Sequence, residues 1–308
     1  MKVSIIGGGG RVGSNAAFAL QCGAAIHEIV LIDANQDAAE GEALDLLHGA
    51  SVTGGQCISA GSYGDAADAD IHIITAGSRR KPDESRLDLI NRNVEIFLQI
   101  LSDIKTAGLK EDAIVFVVSN PVDVLTELAV RGLDHCPDKV IGLGTQLDTA
   151  RFRSLIADTL SVAATQVKAL ILGEHGDSMV PIWSSATVAG LAMDKLPQVN
   201  AGWQNTIFKR TQGSGAEVIR RKGGAGYAVG LAIREVVHAI ALDQRLILPV
   251  SSHLRGPYNI HDVAFSVPTV VGREGVVDRI ELDLWPKELS GLRASAAQLQ
   301  QTLKQVSG

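Results

Sequence analysis

The first half of the chain alternates short apolar runs with longer stretches whose apolar residues recur every three or four positions. Residues 2–6, 28–32, 70–75, 113–118 and 140–142 are near-continuous and rich in β-branched side chains, as strands buried on both faces of a parallel sheet are. Between them, residues 12–22, 37–48, 86–108 and 122–131 carry helical periodicity; the first closes near Gly23 and the last opens after Pro121. A further helix is predicted around residues 147–153. After residue 161 the rhythm changes. A strand at 167–172 precedes helices at 201–221 and 225–242; strands at 247–250, 263–271 and 275–282, read as one antiparallel sheet, lead to a closing helix at 286–306. The expected fold class is α/β, with a doubly wound parallel sheet over 1–145 followed by an α+β domain over 146–308.

Composition narrows the function classes. Of the 308 residues 46% are hydrophobic and 20% charged, an ordinary globular balance. A net charge of −6 argues against a nucleic-acid partner, whose footprint is a basic face. The three cysteines, Cys22, Cys57 and Cys136, are odd in number and lack a CxxC spacing, so neither a disulfide framework nor a bound metal is expected. No apolar run approaches the ~20 residues that span a bilayer, and no leader precedes the first strand. A cytoplasmic protein without a membrane partner is expected.

Candidate chemistry lies where strands end. The first strand runs into Gly7-Gly8-Gly9-Gly10-Arg11-Val12-Gly13, which contains G-x-G-x-x-G as Gly8, Gly10 and Gly13. With 32 glycines a chance match is easy, but strand before and helix after give this one its context. A pyrophosphate can approach such a loop and rest on the helix N-terminus. Asp33, at the end of the second strand and 20 residues beyond Gly13, can take the adenosine ribose hydroxyls. Its charge would repel a 2′-phosphate, so NAD is expected rather than NADP. Ala76 and Gly77 end another strand with side chains small enough to lie beside a cofactor, and Asn120, before Pro121, can turn its amide to a nicotinamide or a substrate.

The charged loop at 78–85, with Arg79, Arg80, Lys81, Asp83 and Glu84, reads either as a lid or as a solvated charge run. Asp148 and Arg151 share a helical face, as an ordinary surface pair or as a working one. In Gly173-Glu174-His175-Gly176-Asp177-Ser178 a strand delivers a histidine between two glycines. Histidine exchanges a proton near neutral pH, so His175 is a candidate acid/base if it has positioned partners, and otherwise a surface turn.

The order GGGGRVG, EIVLID, ITAGSRRKPDESR, VVSNPVDVLT, LGTQLDTAR, GEHGDS and SSHLRGPYNIHDVAFSVPTVVG resembles the lactate and malate dehydrogenase family from end to end. The resemblance implies an NAD-dependent L-2-hydroxy acid dehydrogenase, a Rossmann domain followed by a substrate domain, and a homo-oligomer, dimer or tetramer. The helices at 37–48 and 225–242 are alanine-rich enough to pack against partner subunits. By resemblance His175 is the catalytic acid/base, Asp148 orients its ring, Arg151 grips the substrate carboxylate, and Arg86 polarises the carbonyl as the lid closes. The resemblance also implies a cofactor set of Gly8, Gly10, Arg11, Val12, Gly13, Asp33, Ala76, Gly77, Asn93, Val118 and Asn120, the last also facing substrate.

In this family the residue before the Lys-Pro of the lid reads the group at C3 of the keto acid. Here it is Arg80. An arginine facing a second carboxylate makes a bond worth about 1.5–3 kcal/mol, whereas facing a methyl it is left unpaired in a closed site. Ala225 points the same way, and Glu84 points to the lactate type. The expectation is an L-malate dehydrogenase of the tricarboxylic acid cycle, acting on malate and oxaloacetate; the alternative is a lactate or broader 2-hydroxy acid dehydrogenase. Two other classes fit less well. The NAD- and metal-dependent glycosidases carry a cysteine ligand where this chain has Ser119, and short-chain dehydrogenases need a Tyr-x-x-x-Lys that Tyr63, Tyr227 and Tyr258 do not begin.

Overall fold

The computed structural model describes residues 1–78 and 86–306. In chain order the elements are β1 (Lys2–Ile6), α1 (Arg11–Gly23), β2 (Glu28–Ile32), α2 (Gln36–Thr53), β3 (Cys57–Ala60), β4 (Ile71–Ile74), α3 (Arg86–Ala107), β5 (Ile114–Val117), α4 (Val122–Gly132) and β6 (Val140–Gly142). Then come α5 (Gln146–Leu160), β7 (Val167–Leu172), β8 (Val180–Val188), β9 (Leu191–Ala192), α6 (Ala201–Lys222), α7 (Tyr227–Ala241), β10 (Leu246–Leu248), β11 (Ser251–Arg255), β12 (His261–Ser266), β13 (Thr269–Gly272), β14 (Gly275–Arg279) and α8 (Pro286–Val306).

The main sheet has the order β12-β11-β6-β5-β4-β1-β2-β3. Its first six strands in sequence pair in parallel, β1 lying between β2 and β4. Val3, Ile5, Ile71, Ile73, Val115 and Val117 are fully buried, because helices cover both faces. The chain leaves β1 toward β2 and β3, then crosses back to start β4 on the other side. That reversal opens a crevice at the carboxyl ends of β1 and β4, where doubly wound sheets bind their ligands.

The second half does not fold as a separate layer. β11 adds antiparallel to β6 and β12 to β11, so the parallel sheet continues into the second half of the sequence. The expected strand at 263–271 is two strands in two sheets: β12 joins the main sheet, while β13 lies between β10 and β14. The break falls at Val267-Pro268, where proline cannot donate to a ladder. β11 escapes an apolar-run search because its buried positions include Ser251 and Ser252.

Helix α7, expected to face a partner subunit, spends its small-residue face inside the chain. Val229, Ile233, Val236, Val237 and Ile240 belong to the same core as β1 and α1. A Cβ on Gly230 would sit 2.6 Å from the Asn15 carbonyl oxygen, so the two helices touch backbone to backbone. Elsewhere β7 pairs with β8, and their register breaks between Lys168 and Leu170. The carboxylate of Glu288 on α8 accepts the freed Trp183 and Ser184 amides at 2.7 and 3.1 Å. Against this hairpin the rings of Phe152, Trp183 and Trp203 meet edge to face, with centroids 4.8 and 5.8 Å apart.

Candidate active site

The glycine loop and α1 form the first part of the site. A Cβ on Gly13 would fall 2.3 Å from the Gly7 carbonyl oxygen, so only glycine lets α1 start this close to the end of β1. Gly10, the N-cap, makes no side-chain cap bond and the first turn has no acidic residue, so the positive end of α1 faces the crevice without an internal anion. Gly8 packs on Leu31. Val12 lies against the core. Asp33 is held at the loop: its Oδ2 accepts the Gly9 amide at 3.0 Å and its Oδ1 the Asn35 amide at 2.9 Å. A carboxylate with two backbone bonds keeps lone pairs free for ribose hydroxyls. Glycine cradle, helix end and placed carboxylate together fit a dinucleotide.

The other residues expected at the cofactor divide between the crevice and its supports. The Ala76 amide donates to Ile6 and its carbonyl accepts the Ser119 hydroxyl, which brings Ala76 and Gly77 beside the glycine turn. Val118 is buried at the end of β5, and Asn120 is exposed just beyond it. Asn93, buried on α3, commits its amide to the backbone: Oδ1 accepts from Ser78, and Nδ2 donates to Ser78 and Asn120 carbonyls. It ties two crevice loops together. Arg11 donates to the Lys222 and Gly224 carbonyls at 2.6 and 3.2 Å, fastening the start of α1 to the end of α6.

The histidine centre is assembled from three elements. Thr145 and Thr149 dock β7 along α5 by hydrogen bonds to the Ile171 backbone. Just beyond β7, Gly173 with a φ of +99° turns the chain back and bridges to Ser266 at the end of β12. His175 follows, with Nδ1 2.5 Å from Asp148 Oδ2. The other Asp148 oxygen accepts from Arg151 Nη1 at 3.0 Å. The carboxylate of Asp148 is 1% exposed, the imidazole 22% and the guanidinium 17%.

Burial by itself would raise the Asp148 carboxyl, but His175 and Arg151 outweigh it and hold it below the usual carboxylate range. For His175 burial opposes the charged form, and the Asp148 carboxylate reverses this, with Asp123 assisting, so that the imidazole titrates above its ordinary value. Arg151 also lines a cavity of about 830 Å³ between α5, α6 and α7, with Ala225 and Leu231 on its wall. This arrangement can hold a proton on an imidazole at the edge of solvent, beside a guanidinium suited to a carboxylate.

Two expected residues lie wholly or partly outside the described ones. Arg80 and the rest of 79–85 fall outside the described residues, and of Arg86 only its place at the start of α3 is described. Two contributors went unmarked in the sequence. Asp123, 2% exposed in the first turn of α4, accepts the His175 peptide N–H at 2.7 Å. Ser295, 1% exposed on α8, accepts the Glu174 amide at 3.1 Å and meets Ser178 at 2.8 Å. Their signal was faint: an acid in a helix's first turn reads as a dipole partner, and a serine in a closing helix carries no message.

Comparison with known proteins decides the family. The NAD binding domain of lactate/malate dehydrogenase matches residues 1–142, and the alpha/beta C-terminal domain of the same family matches residues 145–308. The chain belongs to the lactate/malate dehydrogenase family. An L-lactate dehydrogenase of Acetivibrio thermocellus is 42% identical over 98% of this chain and 96% of its own length. One of Synechococcus sp. is 40% identical over 99% of both. Among solved structures, the minor L-lactate dehydrogenase of Enterococcus mundtii in its ligands-bound form superposes with a TM-score of 0.94, at 37% identity over 99% of this chain and 98% of that one. A lactate dehydrogenase, MGS-M5, from a Medee basin deep-sea metagenome library gives 0.95 at 36% identity, over 100% of this chain and 99% of that one.

Membership makes the chain an NAD-dependent 2-hydroxy acid dehydrogenase with a Rossmann sheet and an α/β C-terminal part. The relatives overturn the malate expectation, and the place in the tricarboxylic acid cycle falls with it: these full-length relatives and structural neighbours are lactate dehydrogenases. The malate argument rested on residue type at a single loop position, Arg80, which lies outside the described residues, whereas the likeness to lactate dehydrogenases runs over the whole chain. Among the described residues no group of His, Cys, Asp and Glu could hold a metal, and no helix is long and apolar enough to cross a membrane.

Proposed function

We propose that this protein is an NAD-dependent L-lactate dehydrogenase that interconverts pyruvate and L-lactate. The observation that carries the reading is the His175–Asp148–Arg151 constellation in a chain similar over its whole length to L-lactate dehydrogenases. NADH, when bound, supplies the hydride. His175, protonated on both ring nitrogens, donates the proton of its solvent-side nitrogen to the carbonyl oxygen as negative charge builds there, and recovers it when lactate is oxidised. Asp148 accepts a hydrogen bond from the Nδ1–H, holds the ring in one orientation and stabilises the imidazolium. Arg151 binds the substrate carboxylate. Arg86 is assigned the polarisation of the carbonyl.

The test is NADH oxidation with pyruvate and with oxaloacetate side by side. Pyruvate leading by tenfold or more in kcat/KM is the expected outcome; equal rates, or oxaloacetate in the lead, would sink the reading. We assign the protein to the cytoplasm and to a homo-oligomer. Leu44, Leu47 and Val52 on α2 are 53%, 48% and 87% exposed, an apolar face that a second copy would cover. Light scattering at a mass of a single 32.4 kDa chain would refute the oligomer.

A further inference from the structure

We propose that Asp123 is a positioning residue of the acid/base centre: its buried carboxylate fixes the His175 loop through the peptide N–H and, by its charge, favours the protonated imidazole. This rests on the lactate reading only for the substrate used below. Asp123 reaches the loop from the first turn of α4 and is 2% exposed. Its Oδ2 takes the His175 amide at 2.7 Å. The other oxygen makes no hydrogen bond of good geometry among the described residues, and the polar group beside it is the buried hydroxyl of Ser251 on β11, which favours the charged carboxylate without seating squarely on it.

Fastening a peptide N–H needs only a carbonyl oxygen, which asparagine would provide without the cost of burying a charge. A carboxylate in that place therefore calls for a cation. Among the described residues the groups that act on the pair include Asp148 and Arg151 from α5, Glu174 from the loop itself, and the uncharged Ser251 from β11 and Ser295 from α8. Glu174 repels Asp123 and His175 attracts it. The imidazolium is thus flanked by two carboxylates, one on its ring nitrogen and one on its backbone. Burial pushes the Asp123 carboxyl up to about 6, so it carries its charge at neutral pH and sheds it in mild acid.

The sign follows. Reduction of the keto acid needs protonated His175, and its rate falls as pH rises through that group's pKa. Without the Asp123 charge, that pKa drops. In the NADH-bound enzyme, Asp123→Asn, which keeps the carbonyl acceptor, should move the alkaline limb of kcat/KM for pyruvate down by about half a pH unit or more. Its kcat on the acid plateau should stay within about threefold of wild type, whereas Asp123→Ala, which loses the bond, should lose at least tenfold at every pH. Selective histidine labelling and NMR titration give the His175 pKa directly, and should show the same downward shift in Asp123→Asn.

Superimposable profiles and an unchanged His175 titration in Asp123→Asn would overturn the charge role. Equal losses in the Asn and Ala variants would overturn the positioning role. Should the variants not fold, wild type still decides: its His175 resonance must show a second inflection near pH 6 as Asp123 titrates, and a single-site curve refutes the proposal. Because that titration needs no turnover, a wild type inactive on pyruvate counts against the lactate reading and leaves Asp123 to be judged on its own.

Discussion

Asp148 works between two cations, and its value lies in the charge it keeps while buried. Asp148→Asn would leave the fold intact but release the imidazole from its tautomer and remove the partner that holds it protonated. By analogy with other carboxylate–histidine pairs the chemical step should slow about a thousandfold or more. Single-turnover NADH oxidation measures it directly. The pH dependence has a definite direction. Wild type, with His175 raised above 6.5, reduces substrate on the acid side of that raised pKa and loses activity as pH climbs through it; in Asp148→Asn the loss begins at lower pH. A kcat unchanged from wild type would show that Asp148 is only a packing residue. His175, Asp148 and Arg151 were legible in the sequence as candidates by residue type, and as a set only through the resemblance of the whole chain to a family, since Asp148 and His175 stand 27 positions apart. Asp123 was not, since what distinguishes it is burial against a loop 52 positions away.

The strands and helices of the first half declare themselves because each buries a continuous apolar stripe, and β1, β2 and β7 begin and end where the pattern puts them. What the pattern omits is which element lies against which. Gly230 looks like a helix weakener; in the fold it is the contact point of α7 on α1. Gly230→Ala should destabilise the protein by about 1–3 kcal/mol despite its better helix propensity, because the new methyl meets backbone that cannot move aside. Denaturant midpoints at equal m-value would register it, and a gain in stability would refute the packing argument.

His72 on β4 makes a second case. Buried, bonded to Ser4 at 2.9 Å and repelled by Lys110 and His135, it titrates at about 4. The unfolded chain takes up this proton near 6.5 and the folded one only near 4, so stability is fully present above about pH 6.5 and falls as pH drops toward 4. The loss amounts to ~3 kcal/mol. His72→Asn should be less acid-sensitive by that amount in unfolding titrations at pH 7 and 4.5; parallel curves would show that His72 does not carry the effect.

Interlocking of the two sequence halves sets how the molecule holds together. The main sheet borrows β11 and β12 from the second half, and the core on α1 is closed by α7. A fragment of residues 1–145 should therefore fail to unfold cooperatively, whereas the full chain should melt in one transition that NADH shifts upward. At a hundred times its dissociation constant a ligand adds about 2.7 kcal/mol. Calorimetry separates the cases: a fragment with its own sharp transition would show that residues 1–145 carry a complete core.

Taken by itself, the order of apolar and polar positions determined the parallel-sheet half and the dinucleotide loop with Asp33, because these depend on contacts close in sequence, while His175, Asp148 and Arg151 stood out singly by residue type and were joined only by resemblance to a family. The placement of α7, the division of 263–271 between two sheets and the contacts of Asp123, Asn93 and Ser295 were decided only by the tertiary structure. Each depends on a partner tens of residues or more away, and no local pattern records a contact that distant.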